Sequence, residues 1–281
     1  MKTARGLKKR WYMFRDLIGL HSKKYNYKNN YTKYTKQADI ADICESGLKF
    51  YGQFTPKVDE FIYKRYFNSL DISGVCVECG VLDGLTDSSC KFFEETLGWK
   101  CYNFEPNPYN YKQLVKNRPN SVNLNLGLSD KKGKLEFNFQ LSKDNNGDII
   151  PAGNGSLLPY TETQKEAIRN HNGVVDSVFV DVINYKDFIT ENKITHIDLF
   201  VLDVEGVEPM VINGMQGADV LPDIMVIEIN DKNNFPAIRK QMEELSINGR
   251  GYIYDITSFV NYFFIKKDML PLFNFRKNIS Q

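Results

Sequence analysis

The chain has 281 residues, 42% hydrophobic and 25% charged, which excludes a disordered chain and leaves room for one large domain or two small ones. No apolar run approaches the roughly 20 residues of a membrane span, and the one leader-like stretch, 11–20, is broken by Arg15 and Asp16 and lacks a small-residue cleavage site. Five cysteines (Cys44, Cys76, Cys79, Cys90, Cys101) are odd in number and lack the spacing of a secreted scaffold. They point to a reducing, cytoplasmic setting, in a chain long enough to need no disulfide or structural metal.

The formal net charge of +1 hides a split: residues 1–36 hold 11 Lys or Arg against one acid, Asp16, while the remainder holds 25 basic and 34 acidic residues. A mildly acidic body therefore carries a basic arm with its own partner. In the arm, Leu7, Trp11, Phe14 and Ile18 fall on one helical face beside Lys8, Lys9 and Arg10. This pattern suits a peripheral anchor on an anionic membrane surface and equally suits docking onto the chain's own domain. Residues 23–36, rich in Tyr, Asn and Lys, have no period. Helical stretches over about 38–50 and 57–68 form an N-terminal extension (37–73), and residues 74–281 form the main domain.

From Gly74 onward, short apolar runs alternate with helical stretches. Strands are expected at 75–79, 100–105, 122–126, 134–139, 174–182, 197–203, 224–229, 252–256 and 262–265. Helices are expected at 88–97, 109–117 and 185–192. This alternation predicts an α/β fold with a doubly wound, mostly parallel sheet, closed by an antiparallel edge from the last two strands. Residues 142–160, with Gly147, Gly153 and Gly155, read as a loop of the kind that gates a site.

Ligands of such sheets bind beyond the carboxyl ends of the strands. The first strand ends in Glu78-Cys79-Gly80-Val81-Leu82-Asp83-Gly84, whose glycines permit a tight turn close to a ligand. Glu105, 21 residues after Gly84, stands where these folds hold ribose hydroxyls. Later ends carry Ser129-Asp130, Asp203-Val204-Glu205-Gly206 and Glu228-Ile229-Asn230. The first turn lacks the Gly-x-Gly-x-x-Gly spacing that seats a pyrophosphate. A nucleoside ligand without a diphosphate, carrying ammonium and sulfonium charges, meets both conditions, and S-adenosyl-L-methionine is such a ligand.

Over roughly residues 74–265 the chain resembles the FkbM family of S-adenosylmethionine-dependent methyltransferases. The resemblance rests on VECGVLDGLTDSS, LGWKCYNFEPNPYNYKQL, NLGLSDKKGKLEF, GNGSLLP, LFVLDVEGVEPMVINGM and IMVIEIN, in that order. It implies a seven-stranded Rossmann-like sheet and O-methylation of a hydroxyl of a sugar, sugar nucleotide, surface polysaccharide or glycoconjugate. By the resemblance, Glu78, Gly80 and Gly84 line the methionine end of the cofactor, Glu105 holds the ribose, and Asp83 and Pro106 belong to the same cofactor-binding set. Leu128, Ser129 and Asp130 border the adenine, and Asp203 and Glu205 face the transferring methyl group. Val201 stands where many members carry Lys, so any role of that lysine is missing here; Cys79 occupies a slot more often aliphatic.

A hydroxyl needs a base before it attacks. Asp203 is the first choice and Glu205 the second, while Glu228, Asn230 and His171 are candidates to contact the acceptor. No metal-ligand set is read. Cys76 and Cys79 form a C-x-x-C whose members face opposite sides of a strand, so they are assigned a packing role. The alternatives are an RNA methyltransferase gripping its substrate with the basic arm and a non-catalytic nucleoside-binding relative. The acidic body, and the lack of an Asn-Pro-Pro-Tyr-like motif, make nucleic acid the less expected partner.

Overall fold

The computed structural model describes residues 47–269 except 144–148, 152, 172 and 248–249. The basic arm and residues 38–46 of the first helical stretch lie outside the described residues. The strands are β1 (Val75–Cys79), β2 (Lys100–Phe104), β3 (Val122–Leu124), β4 (Gly127–Ser129), β5 (Gly133–Lys143), β6 (Ile149–Pro151) and β7 (Val174–Asn184). They continue as β8 (Leu199–Leu202), β9 (Ile224–Glu228), β10 (Ser246–Ile247), β11 (Arg250–Ser258) and β12 (Asn261–Lys266). The helices are α1 (Val58–Ile62, prolonged by a π-turn Tyr63–Phe67), α2 (Lys91–Glu95), α3 (Pro108–Asn117), α4 (Glu162–Asn170), α5 (Tyr185–Glu191), α6 (Glu208–Gly214) and α7 (Phe235–Glu244).

The main sheet runs β10-β11-β12-β9-β8-β1-β2-β3. Its centre is parallel, β1 pairing with β2 and β8, and β8 with β9. The predicted antiparallel element is the β11–β12 hairpin at one edge, with β12 antiparallel to β9 and the two-residue β10 appended beyond β11. Side chains alternate across the strands. Val77, Cys79, Tyr102, Phe104, Phe200, Leu202, Met225 and Ile227 pack with α5, α6 and α7 residues on one face. Cys76, Cys101, Leu199, Val201, Ile224 and Val226 pack on the other against Phe61, Ile62, Tyr66, Phe92 and Phe93. The N-terminal segment is held on this second face by Asp59, fully buried, whose carboxylate accepts the N–H groups of Tyr51, Gly52 and Glu60.

Two features depart from the sequence reading, beside the expected loop at 142–160, which holds the end of β5 and the short strand β6. The runs at 134–139 and 174–182 do not extend the main sheet; they lengthen into β5 and β7, which pair antiparallel in a second sheet of order β4-β7-β5-β6. Both are 11 residues long, and in β7 exposed Ser177, Phe179 and Asp181 alternate with buried Val180 and Val182, the mark of a sheet with one solvated face. The second departure concerns the cysteines. Cys76 and Cys79 do face opposite sides, but Cys76 lies in register with Cys101 of β2, and the two form a buried disulfide. Sequence spacing cannot reveal a partner that only strand register supplies. Among the described residues, no helix is long and apolar enough to cross a membrane.

Candidate active site

Strand order reverses between β1 and β8, so their diverging connections leave a crevice beyond the carboxyl ends. A cleft of ≈ 580 Å³ lies there, floored by Cys79, Gly80, Phe104, Glu105, Asp203 and Glu205. Gly80 is needed at its position. Its φ is +85°, and a Cβ there would lie 1.8 Å from the Asp203 carbonyl oxygen, so any side chain would push the β1 and β8 ends apart.

Glu105 is buried, and its carboxylate accepts the N–H of Leu82 and of Asn107, each at 2.8 Å. Burial pushes this carboxyl up to about 8, against those backbone donors and the Asn110 side chain. Asn107 caps α3 by accepting the Tyr109 N–H, while its buried Nδ2 has no protein acceptor. Pro106, Asn107 and Asn110 also line the cleft. The sequence reading missed Asn107 and Asn110; the only signal was the Pro-Asn-Pro turn after Glu105.

Opposite them stand the acids of β8 and β9. Burial pushes the Asp203 carboxyl well above the usual carboxylate range, and Glu228, Glu205 and Glu208 push it further. Glu228, buried at the end of β9, shares a hydrogen bond with Asp203. Asn230 donates through Nδ2 to Glu205 Oε2 at 3.3 Å. These four predicted residues thus form one connected group, of which Asp203 and Glu205 line the cleft.

Other predicted residues are placed outside the lining. Glu78 turns to the opposite face of β1, accepting from Ser88 Oγ and the Ser89 N–H, 3.6 Å from Arg118 Nη1. Burial raises its carboxyl, and Arg118 opposes the rise. Asp83 accepts the N–H groups of Leu85 and Thr86 and so builds its own turn. At Gly84 a Cβ would meet Leu114 Cδ1 at 2.5 Å and Arg118 Cγ at 2.8 Å, so this glycine serves the approach of α3. Ser129 is buried with its Oγ 3.2 Å from Met210 Sδ and 3.3 Å from Asp130, while Gly127 and Leu128 reach the lining. His171 is exposed at the end of α4, its Nδ1 2.9 Å from the Ala167 carbonyl.

The second sheet closes the cleft from above: Phe137 of β5 and Gly153, Gly155 and Leu157 of the following glycine loop all line it. The donor set fits S-adenosylmethionine. An acceptor carboxylate (Glu105) and an orphaned amide donor (Asn107) suit a nucleoside, Gly80 supplies a cradle that a Cβ would fill, and Asp203 and Glu205 suit a cationic centre.

No curated protein matches the chain significantly. Solved structures with a similar chain path include the METTL16 methyltransferase domain (10% identity, TM-score 0.41, covering 93% of this chain and 91% of that one). An S-adenosylmethionine-dependent O-methyltransferase from Thermotoga maritima is 12% identical (TM-score 0.37, covering 81% and 70%). CalS11, a TDP-rhamnose 3′-O-methyltransferase of calicheamicin biosynthesis, is 11% identical (TM-score 0.37, covering 92% and 94%). The family comparison is of a different order: the methyltransferase FkbM domain matches residues 78–254, from the buried acid of β1 into β11, the first strand of the edge hairpin, and across every residue that lines the cleft. With that span matched, the chain belongs to the FkbM family of S-adenosylmethionine-dependent methyltransferases.

Proposed function

We propose that the protein is an O-methyltransferase acting on a carbohydrate hydroxyl, in a sugar nucleotide or a surface glycan, with Asp203 as the base. The observation that carries this reading is the Asp203–Glu228 carboxyl pair, whose Asp203 lines the cleft and is raised well above the usual range by burial and by its acidic neighbours. A carboxyl raised above its ordinary range is a stronger base once ionised, which suits a hydroxyl, a poor nucleophile until deprotonated. S-adenosylmethionine supplies the activated methyl carbon. Asp203, ionised, accepts the hydroxyl proton; Glu228 holds its carboxyl in place, and Glu205 with Asn230 orients the acceptor. Among the described residues the cleft is lined by three acids, Glu105, Asp203 and Glu205, and by no lysine or arginine, which favours a neutral hydroxyl over a polyanionic RNA. Incubation with methyl-labelled cofactor tests the assignment: label should enter sugar acceptors and survive ribonuclease, whereas label in RNA overturns it.

Glu105 is assigned to the ribose hydroxyls. Hydroxyl donors favour its ionised form, so cofactor binding should release protons near neutrality. Affinity for S-adenosylhomocysteine should therefore climb with pH until about 8, where the free carboxyl is ionised, and level off above it. Glu105→Ala should weaken binding by about 1–3 kcal/mol and flatten that dependence. Calorimetry in buffers of different ionisation enthalpy reads both effects; a pH-independent wild type removes Glu105 from the ribose.

The basic arm is assigned to an anionic membrane surface, where each basic residue near the lipid contributes about 1 kcal/mol. Full-length protein should sediment with anionic vesicles at low salt, and protein lacking residues 1–36 should not. If both stay in the supernatant, the arm serves a protein contact instead.

A further inference from the structure

The Gly-Asn-Gly-Ser loop that follows β6 does more than roof the cleft. Ser156 is buried, and its backbone makes a two-bond bridge with Asn138 of β5, N–H to carbonyl at 2.8 Å in each direction. The loop is thereby fixed to the second sheet through its main chain. Gly155 permits this docking, since a Cβ there would lie 2.3 Å from the Phe137 ring. The Ser156 side chain plays no part in that bridge and reaches across to the turn after β8 instead. Its Oγ donates to the Glu205 carbonyl at 2.9 Å and accepts the Leu158 N–H at 3.1 Å.

The accepting turn is one that needs a hold. Glu205 has φ +53° and Gly206 φ +101°, two successive residues in the left-handed region, the first of them not a glycine. A carboxylate-bearing residue keeps such a conformation only where its surroundings over-determine it. Further ties come from the start of α6 and from the turn after β9: Gly206 N–H donates to Glu208 Oε1 at 2.9 Å, and Asn230 reaches the Glu205 carboxylate. The loop also comes near the opposite wall, where Gly153 and Leu82 both line the cleft and a Cβ added at Gly153 would meet the Leu82 side chain at 3.6 Å. It thus spans the cleft from the turn after β1 to the turn after β8.

We propose that Ser156 is a positioning residue: its hydroxyl pins the left-handed turn at Glu205 and latches the glycine loop across the cleft, so that the second sheet sets both the placing of that carboxylate and the escape of bound cofactor. The functional meaning of the carboxylate rests on the reading above, but the latch itself is tested without any acceptor. Hydrogen exchange of the full chain, with and without S-adenosylhomocysteine, reports on the turn directly, and stopped-flow dissociation of that ligand reports on the loop.

In Ser156→Ala, amides 204–208 should exchange roughly fivefold faster and the ligand should leave faster by a similar factor, the loss of about one net hydrogen bond. Amides of β1 and β9 should keep wild-type protection, because the Asn138 bridge is main-chain. Ser156→Cys fills the same space with a weak donor and should behave like the alanine variant. Unchanged exchange at 204–208, or faster exchange spread equally over β1 and β9, overturns the proposal. Wild-type behaviour in Ser156→Cys also overturns it, since volume and not the hydrogen bond would then be responsible. If wild-type protein binds no S-adenosylhomocysteine, the assigned function fails while the exchange measurement still decides the latch.

Discussion

Asp203→Asn should lower turnover by about 10²–10⁴ while leaving cofactor affinity close to wild type, because the amide keeps the shape of the carboxyl but cannot take a proton. The wild-type rate should rise with pH as Asp203 loses its proton, and the variant should lose that limb. Stability supplies an independent sign. Burial, with Glu228 and its acidic neighbours, raises the Asp203 carboxyl in the folded chain. Its contribution to stability is therefore fully present below the unfolded value near 4 and is lost as pH rises through the folded value. An asparagine, neutral throughout, escapes that loss. The variant should gain in melting temperature relative to wild type as pH is raised, while its activity stays low. Thermal scans across pH, paired with single-turnover rates, check both; an active variant moves the base to Glu205.

Arg118→Met should be the most destabilising of these changes, by about 3–5 kcal/mol, with a fall in Tm of about 10 °C or more. Arg118 is fully buried beneath the turn after β1. It contacts Glu78 at 3.6 Å, hydrogen-bonds Ser88 Oγ at 3.1 Å and forms an ion pair with Glu94. Methionine keeps most of the stem but leaves the buried Glu78 carboxylate and the partly buried Glu94 carboxylate without their cation. The Glu78 carboxyl, raised by burial even with Arg118 present, should rise further without it. Protonation would then relieve the unpaired charge, so the deficit should be smaller at pH 5 than at pH 8. Denaturant titrations at the two pH values separate lost charge pairing from lost packing, because a packing defect alone gives the same deficit at both.

These two residues mark where sequence reading succeeds and where it stops. Asp203 is legible because local rules place it: the apolar run before it makes a buried strand, and a doubly wound sheet gathers its strand ends at one crevice. The same reasoning places Gly80, Glu105, Pro106 and Glu205, all of which reach the cleft lining. Glu78 shows the limit. Two residues before Gly80 in the same motif, it faces the other way, toward an arginine 40 residues later that no spacing rule connects to it.

The sequence by itself determined the family, the parallel core and the set of residues at the strand ends, since periodicity, glycine placement and motif order are properties of neighbouring positions. Only the tertiary structure decided which side chains meet. Asp203 shares a hydrogen bond with Glu228, Cys76 pairs with Cys101, Ser156 reaches Glu205, and β5 and β7 form a second sheet whose β5 and glycine loop roof the cleft. Each of these depends on strand register and on how one layer packs over another. Such long-range contacts are set by the burial of whole faces, which no local pattern of residues encodes.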